Sequence, residues 1–120
     1  MKLFVDDLRT PPTDEGDWIV AKSSEQAINF LTIASKVKSG EVPLFDDQAY
    51  DFWMNFEAIS LDHDLGGDDN TRKVVDWMAE HDFWPDEVLI HTQNPVGRKA
   101  LLATVNRYAP PDTEIWERFL

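Results

Sequence analysis

Short apolar runs that stop at acids or histidines alternate along this chain with longer segments of helical period. "KLFV" (2–5), "DWIVAK" (17–22), "EAISLD" (57–62), "DEVLIH" (86–91) and "TEIWERFL" (113–120) have the length and the β-branched and aromatic content of strands. Between them, "SSEQAINFLTIASKVKSG" (23–40) places Ala27, Ile28, Leu31, Ala34 and Val37 on one helical face. Ser23 and Gln26 form a capping-box pattern at its start, and Gly40 ends it. "TRKVVDWMAEH" (71–81) predicts a helix with Val74, Val75 and Met78 turned inward. "NPVGRKALLATVNRY" (94–108) opens with Asn94 at an N-cap position and Pro95 at the first helical position, and Pro110 and Pro111 end it.

Two segments break this rhythm. "DDLRTPPTDEG" (6–16) holds two prolines and no helical period, so a tight, irregular crossover is expected there. "EVPLFDDQAYDFWMNF" (41–56) is aromatic-rich but interrupted by Pro43 and acids, and is expected to form a packed insertion before the third strand. Strands alternating with helices predict a single α/β domain on a mostly parallel five-stranded sheet.

In an open sheet of this kind, ligands bind beyond the carboxyl ends of the strands. The first strand delivers Asp6, Asp7 and then Arg9; the third delivers Asp62, His63 and Asp64; the fourth delivers His91, Thr92 and Asn94. Each residue taken alone has a plainer account. Asp6 and Asp7 fit a solvated turn, Asp62 and Asp64 fit loop acids, His91 fits a core histidine and Asn94 fits a cap. Arg9 fits a partner for Asp7, and Arg98 and Lys99 a solvated pair. Recurrence at one sheet edge shifts the balance toward a site. Clustered carboxylates repel unless a proton or cation bridges them, and an oxygen-only donor set suits Mg²⁺ or Mn²⁺. A calcium loop starting at Asp62 fails, because its twelfth position is Lys73. His63-Asp64 follows a strand rather than lying within a helix, which disfavours an all-helical metal phosphohydrolase; His81-Asp82 falls at a helix end, where a terminal cap is the simpler account.

Charge and composition narrow the partners. Eleven Lys and Arg against 23 Asp and Glu leave a net charge of −12, which opposes an extended nucleic-acid surface or an anionic membrane. The absence of cysteine excludes disulfides, thiolate zinc and a cysteine nucleophile, and fits a reducing cytoplasm. No stretch has the length of a signal-peptide core or a membrane span, so a soluble, unexported protein is expected. Nothing in the spacing of the five Trp marks a self-association face, and the oligomeric state stays open.

"LFVDDLR", "ISLDHDLG" and "VLIHTQNPVG", in that order over the whole chain, resemble the cyclic-phosphate processing receiver-like family of bacteria and phages. The resemblance implies a receiver-like (CheY-like, flavodoxin-like) three-layer sandwich, with the first helix reduced or absent and no fifth helix. It puts Asp6 and Asp7 in the place of the receiver's metal-binding acids, Asp62 in that of its phosphoacceptor and Thr92 in that of its Thr or Ser. His63 and His91 are the residues that set this family apart from signalling receivers. No Lys follows the last strand, and Arg118 is the nearest substitute.

The leading expectation is therefore a metal-assisted phosphoesterase acting on a small, nucleotide-derived cyclic phosphate in a bacterial or phage-infected cytoplasm. Asp6, Asp7 and Asp62, with Asp64, hold Mg²⁺ or Mn²⁺; His63 and His91 divide acid and base roles; Thr92, Asn94 and Arg9 seat the phosphate. Water and Asp62 both remain open as the nucleophile. Two other classes also remain open: a non-catalytic phospho-ligand module or degenerate receiver, and an acidic protein that occupies a basic partner's site.

Overall fold

The computed structural model describes residues 1–42 and 47–118. Its strands are β1 (Lys2–Val5), β2 (Ile19–Ala21), β3 (Ala58–Leu61), β4 (Glu87–Ile90) and β5 (Glu114–Glu117). Its helices are α1 (Ser24–Lys38), α2 (Asp47–Met54), α3 (Arg72–His81) and α4 (Pro95–Tyr108). The sheet order is β2-β1-β3-β4-β5 with every neighbouring pair parallel, so the expected mostly parallel sheet is wholly so. The chain order reverses about β1, which places a switch point between β1 and β3.

Strand alternation divides the sheet into two unlike faces. Leu3, Val5, Ile59, Leu61, Val88 and Ile90 point to one side, where they are fully buried against Leu31, Val74, Met78, Leu101 and Val105 from α1, α3 and α4. The other face carries Phe4, Ser60 and Leu89 and is crossed by the connection from β1 to β2. In place of a first helix, that connection holds only a 3-10 turn, Thr13–Glu15. Glu15 spans the sheet: its backbone carbonyl accepts from Lys2 at β1, and its carboxylate accepts two bonds, of 3.0 and 2.5 Å, from Arg118 just after β5. The Lys2 ammonium lies 4.6 Å from the centre of the Trp18 ring, and Trp18 meets Phe4 edge-on. The third layer of this sandwich is therefore a stapled loop rather than a helix pair.

The expected packed insertion before β3 contains a helix, α2, set against α1 with Phe30 and Trp53 stacked at 6.5 Å. Residues 43–46 of that insertion, and the last two residues of the run read as the final strand, lie outside the described residues. At the end of α3, Asp82 takes a left-handed conformation (φ 47°) and its N–H caps Ala79 and Met78, as the His81-Asp82 spacing led one to expect.

At the start of α1, Ser23 Oγ accepts from Gln26 N at 3.1 Å, while Gln26 Oε1 accepts from Lys22 N at 2.8 Å. A further cap comes from outside the helix. Asp69, in the loop after β3, accepts from Ser24 N at 2.9 Å and from Ser24 Oγ at 2.5 Å. Burial pushes the Asp69 carboxyl up, but the Ser24 bonds and the nearby Lys73 outweigh it and hold it below the usual value. Its stabilising effect is then full above about pH 4 and is lost as pH falls through the folded-state value. Asp69→Asn should cost about 1 kcal/mol at pH 7. Urea unfolding at pH 7 and at successively lower pH should show the gap between wild type and variant closing on acidification.

Candidate functional site

The register fixes the heart of the site. Val5, Leu61 and Ile90 are aligned across β1, β3 and β4, and sheet hydrogen bonding continues one residue further, through Asp6 N to Ala21 O, Asp62 N to Val5 O and His91 N to Leu61 O. Asp6, Asp62 and His91 thus stand side by side on adjacent strand ends with their backbones held. One carboxylate oxygen from each of Asp6, Asp7 and Asp62 lies within 4.8 Å of the others. The loop after β3 approaches this cluster closely at Gly66: its φ is 88°, and a Cβ there would sit 3.3 Å from Asp7 Oδ2.

Asp6 is 1% exposed and held by three donors. Its Oδ1 accepts the N–H groups of Leu8 and Arg9, both at 2.9 Å, and its Oδ2 accepts from His91 Nε2 at 2.9 Å. Burial alone would raise its pKa, but these donors outweigh burial and hold the carboxyl below its usual value, so it is ionised. A carboxylate has about four lone-pair sites, of which three are used, leaving one on Oδ2 for a ligand.

His91 is also 1% exposed. Burial pushes its pKa down despite the pull of Asp6, so the ring is neutral. Nε2 carries the proton given to Asp6, and Nδ1 accepts from the Ser60 hydroxyl at 2.7 Å. The ring stacks on Phe4 with centroids 4.6 Å apart. Both nitrogens are consumed within the protein. Ser60 was not singled out from the sequence; its signal is strand alternation, which puts it on the Phe4 face beside the strand that ends in His91.

His63 has a different setting. Its Nδ1 lies 3.0 Å from Asp64 Oδ1, and Asp64 Oδ2 accepts from Asn94 Nδ2 at 3.1 Å. Those two contacts, Asn94 first, keep the Asp64 carboxyl below its usual value, so Asp64 is ionised and holds the His63 proton on Nδ1. Asp64 therefore belongs to the His63 pair and does not join the acid cluster of Asp6, Asp7 and Asp62. The ring rests on the first turn of α4: a Cβ at Gly97 would fall within it, 2.7 Å from Cδ2. Gly97→Ala should favour the isolated helix by about 1 kcal/mol and yet displace the ring. The expected result is a near-unchanged melting temperature with shifted His63 imidazole resonances in NMR; unshifted resonances would show that Gly97 does not seat the ring.

The remaining residues frame the cluster. Arg9 Nη1 donates to His91 O at 3.0 Å and lies 4.0 Å from Asp6 Oδ2. Thr92 is buried, its Oγ1 accepting from Asn94 N at 3.2 Å, which leaves the hydroxyl proton to donate. Asn94 caps α4 through Gly97 N at 3.1 Å. Arg118, the nearest substitute for a receiver lysine, is bound to Glu15 instead.

A wholly parallel α/β sheet with acids gathered at its carboxyl edge, at the switch point between β1 and β3, defines a receiver-like domain. The family it belongs to is the cyclic-phosphate processing receiver domain, which matches residues 1–107. Comparison with curated proteins and with solved structures gives no match. Family membership associates the chain with cyclic-phosphate processing and with a small phosphorylated ligand. The acid cluster has the donor chemistry for a metal ion, and among the described residues no helix is long and apolar enough to cross a membrane.

Proposed function

We propose that this protein is a metal-assisted phosphoesterase that opens a small, nucleotide-derived cyclic phosphate in the cytoplasm. The observation that carries this reading is the ionised, buried Asp6, locked by three donors with a single lone pair left, beside Asp7 and Asp62. Asp6, Asp7 and Asp62 would hold Mg²⁺ or Mn²⁺, as their all-oxygen set fits, and the bound ion would offset their repulsion and polarise a phosphoryl oxygen.

The other groups follow from what each has free. Arg9 and the Thr92 hydroxyl face the anionic phosphoryl group at the helix start capped by Asn94. His63 Nε2 offers a lone pair because Asp64 keeps the proton on Nδ1. It takes a proton from the attacking water, and the imidazolium returns it to the ring oxygen released when the P–O bond breaks. The other water proton stays on the new phosphomonoester. His91 acts through Asp6, as a positioning residue.

The test is phosphorus NMR of the protein with 2′,3′- and 3′,5′-cyclic nucleotides, with and without Mn²⁺. A ring-opened product that requires Mn²⁺ and is lost in Asp62→Asn and His63→Ala supports the reading; ligand broadening without product overturns it in favour of a binding module. Acid-quenched turnovers should carry no phosphorus label on Asp62, as expected for direct attack by water.

A further inference from the structure

The described surface has two strongly exposed large hydrophobic residues, one in the loop after β1 and one at the start of α4. Leu8, two residues past Asp6, is 87% exposed, and Val96, in the first turn of α4, is 79% exposed; the others range from 37% to 53%. A single exposed hydrophobe needs no explanation. Exposure gains meaning where a cavity accompanies it, as it does at Val96.

Val96 also forms one wall of a groove of about 380 Å³ between the first turns of α4 and the end of β5, lined by Pro95, Val96, Arg98, Lys99, Leu102 and Glu117. The groove adjoins the site through Arg98, whose Nη2 donates to Thr92 O at 2.8 Å while its Nε lies 3.9 Å from Glu117. Its volume falls in the range of small-molecule pockets, and its walls combine apolar surface with charge at the edges. Lys99 makes no ion pair among the described residues, in a chain of net charge −12. A cation here favours an occupant that presents hydrogen-bond acceptors, such as the carbonyl and ring nitrogens of a heterocyclic base, over a basic peptide.

We infer that this groove is the nucleoside subsite of the ligand: its heterocyclic base packs on Pro95, Val96 and Leu102, with Lys99 at its polar edge, while its cyclic phosphate lies at the Asp6, Asp7 and Asp62 cluster. This inference rests on the phosphoesterase reading for the placement of the phosphate. It makes the substrate a base-bearing nucleoside cyclic phosphate rather than a bare sugar or glycol ring.

The experiment compares kcat/KM for a nucleoside 2′,3′-cyclic phosphate with that for methyl riboside 2,3-cyclic phosphate, which lacks the base, in Mn²⁺. It also measures binding of both by calorimetry. Wild type should prefer the base-bearing ring at least tenfold, and the preference should collapse toward unity in Val96→Asp and in Lys99→Glu. Val96→Asp places an acid at a helix N-terminus, where it is compatible with folding. Ile33→Ser, at an exposed position of α1, should leave the preference as it is. Equal kcat/KM for the two rings, or a preference that survives both variants, overturns the subsite while leaving the phosphoesterase intact. Turnover of neither ring, with tight binding of the nucleoside form that Val96→Asp weakens, overturns the hydrolytic reading and supports the subsite. Neither turnover nor Val96-dependent binding overturns both.

Discussion

Asp6→Asn is expected to abolish divalent-cation binding and to lower turnover of a cyclic phosphate by about a thousandfold, with the fold intact. The fold survives because asparagine keeps one oxygen for the Leu8 and Arg9 N–H groups. Its amide nitrogen then faces His91 Nε2, and the imidazole answers by moving its proton to Nδ1 and donating to Ser60 Oγ. The Ser60 hydroxyl proton and the second amide hydrogen of the asparagine are left without a partner, so the stability cost is about 2 kcal/mol. The chemical cost is larger. The one lone pair that Asp6 has left belongs to Oδ2, and the substitution replaces it with a donor, removing both a charge and a ligand atom from the cation site. Loss of about 4 kcal/mol of transition-state stabilisation corresponds to about a thousandfold in rate. Calorimetric titration with Mn²⁺ checks the first part and phosphorus NMR the second; undiminished Mn²⁺ affinity in Asp6→Asn would remove the acid cluster from the mechanism.

The sequence carried the elements that depend on local pattern. Strand alternation and helix caps are short-range signals, and Ser23, Asn94 and Pro95 stand where their chemistry places them. The convergence of three strand ends was legible for the same reason, because parallel strands of an α/β sheet all deliver their carboxyl ends to one edge. Pairings across the fold were not legible. Whether Arg118 turns toward the acids or toward Glu15 depends on where the loop over the open face lies, and a proline-rich connection has no periodicity to reveal that. The role of Gly97 as the seat of the His63 ring joins residues from two loops, and reads in sequence as an ordinary glycine in a helix. Asp64 shows the limit most clearly. Its spacing from Asp62 suits a shared ligand set, but loop 63–71 closes on itself through Thr71 N to His63 O at 2.9 Å, and Asp64 is turned to Asn94 and His63.

The two histidines, alike in sequence as polar residues at strand ends, should part company under mutation. His91→Ala removes a buried ring stacked on Phe4, strands the Ser60 hydroxyl and takes a donor from an ionised, buried Asp6. Cavity formation and the unpaired groups together should cost about 3 kcal/mol or more of stability. His63→Ala removes a partly buried ring from the first turn of α4, with Asp64 still bonded to Asn94, and should cost about 1 to 2 kcal/mol, less than His91→Ala. In activity the order reverses in kind. His63→Ala should lose a factor of about 10² to 10⁴ in kcat with its Mn²⁺ affinity unchanged. His91→Ala, measured on its folded fraction at low temperature, should instead lose Mn²⁺ affinity and recover kcat at saturating Mn²⁺, because the ring that fixes Asp6 has gone. Denaturant unfolding, calorimetry and kcat at saturating Mn²⁺ separate the two roles. A kcat lost in His91→Ala at saturating Mn²⁺ and kept in His63→Ala would exchange them, making the buried ring the proton carrier and requiring the Asp6 contact to open during turnover.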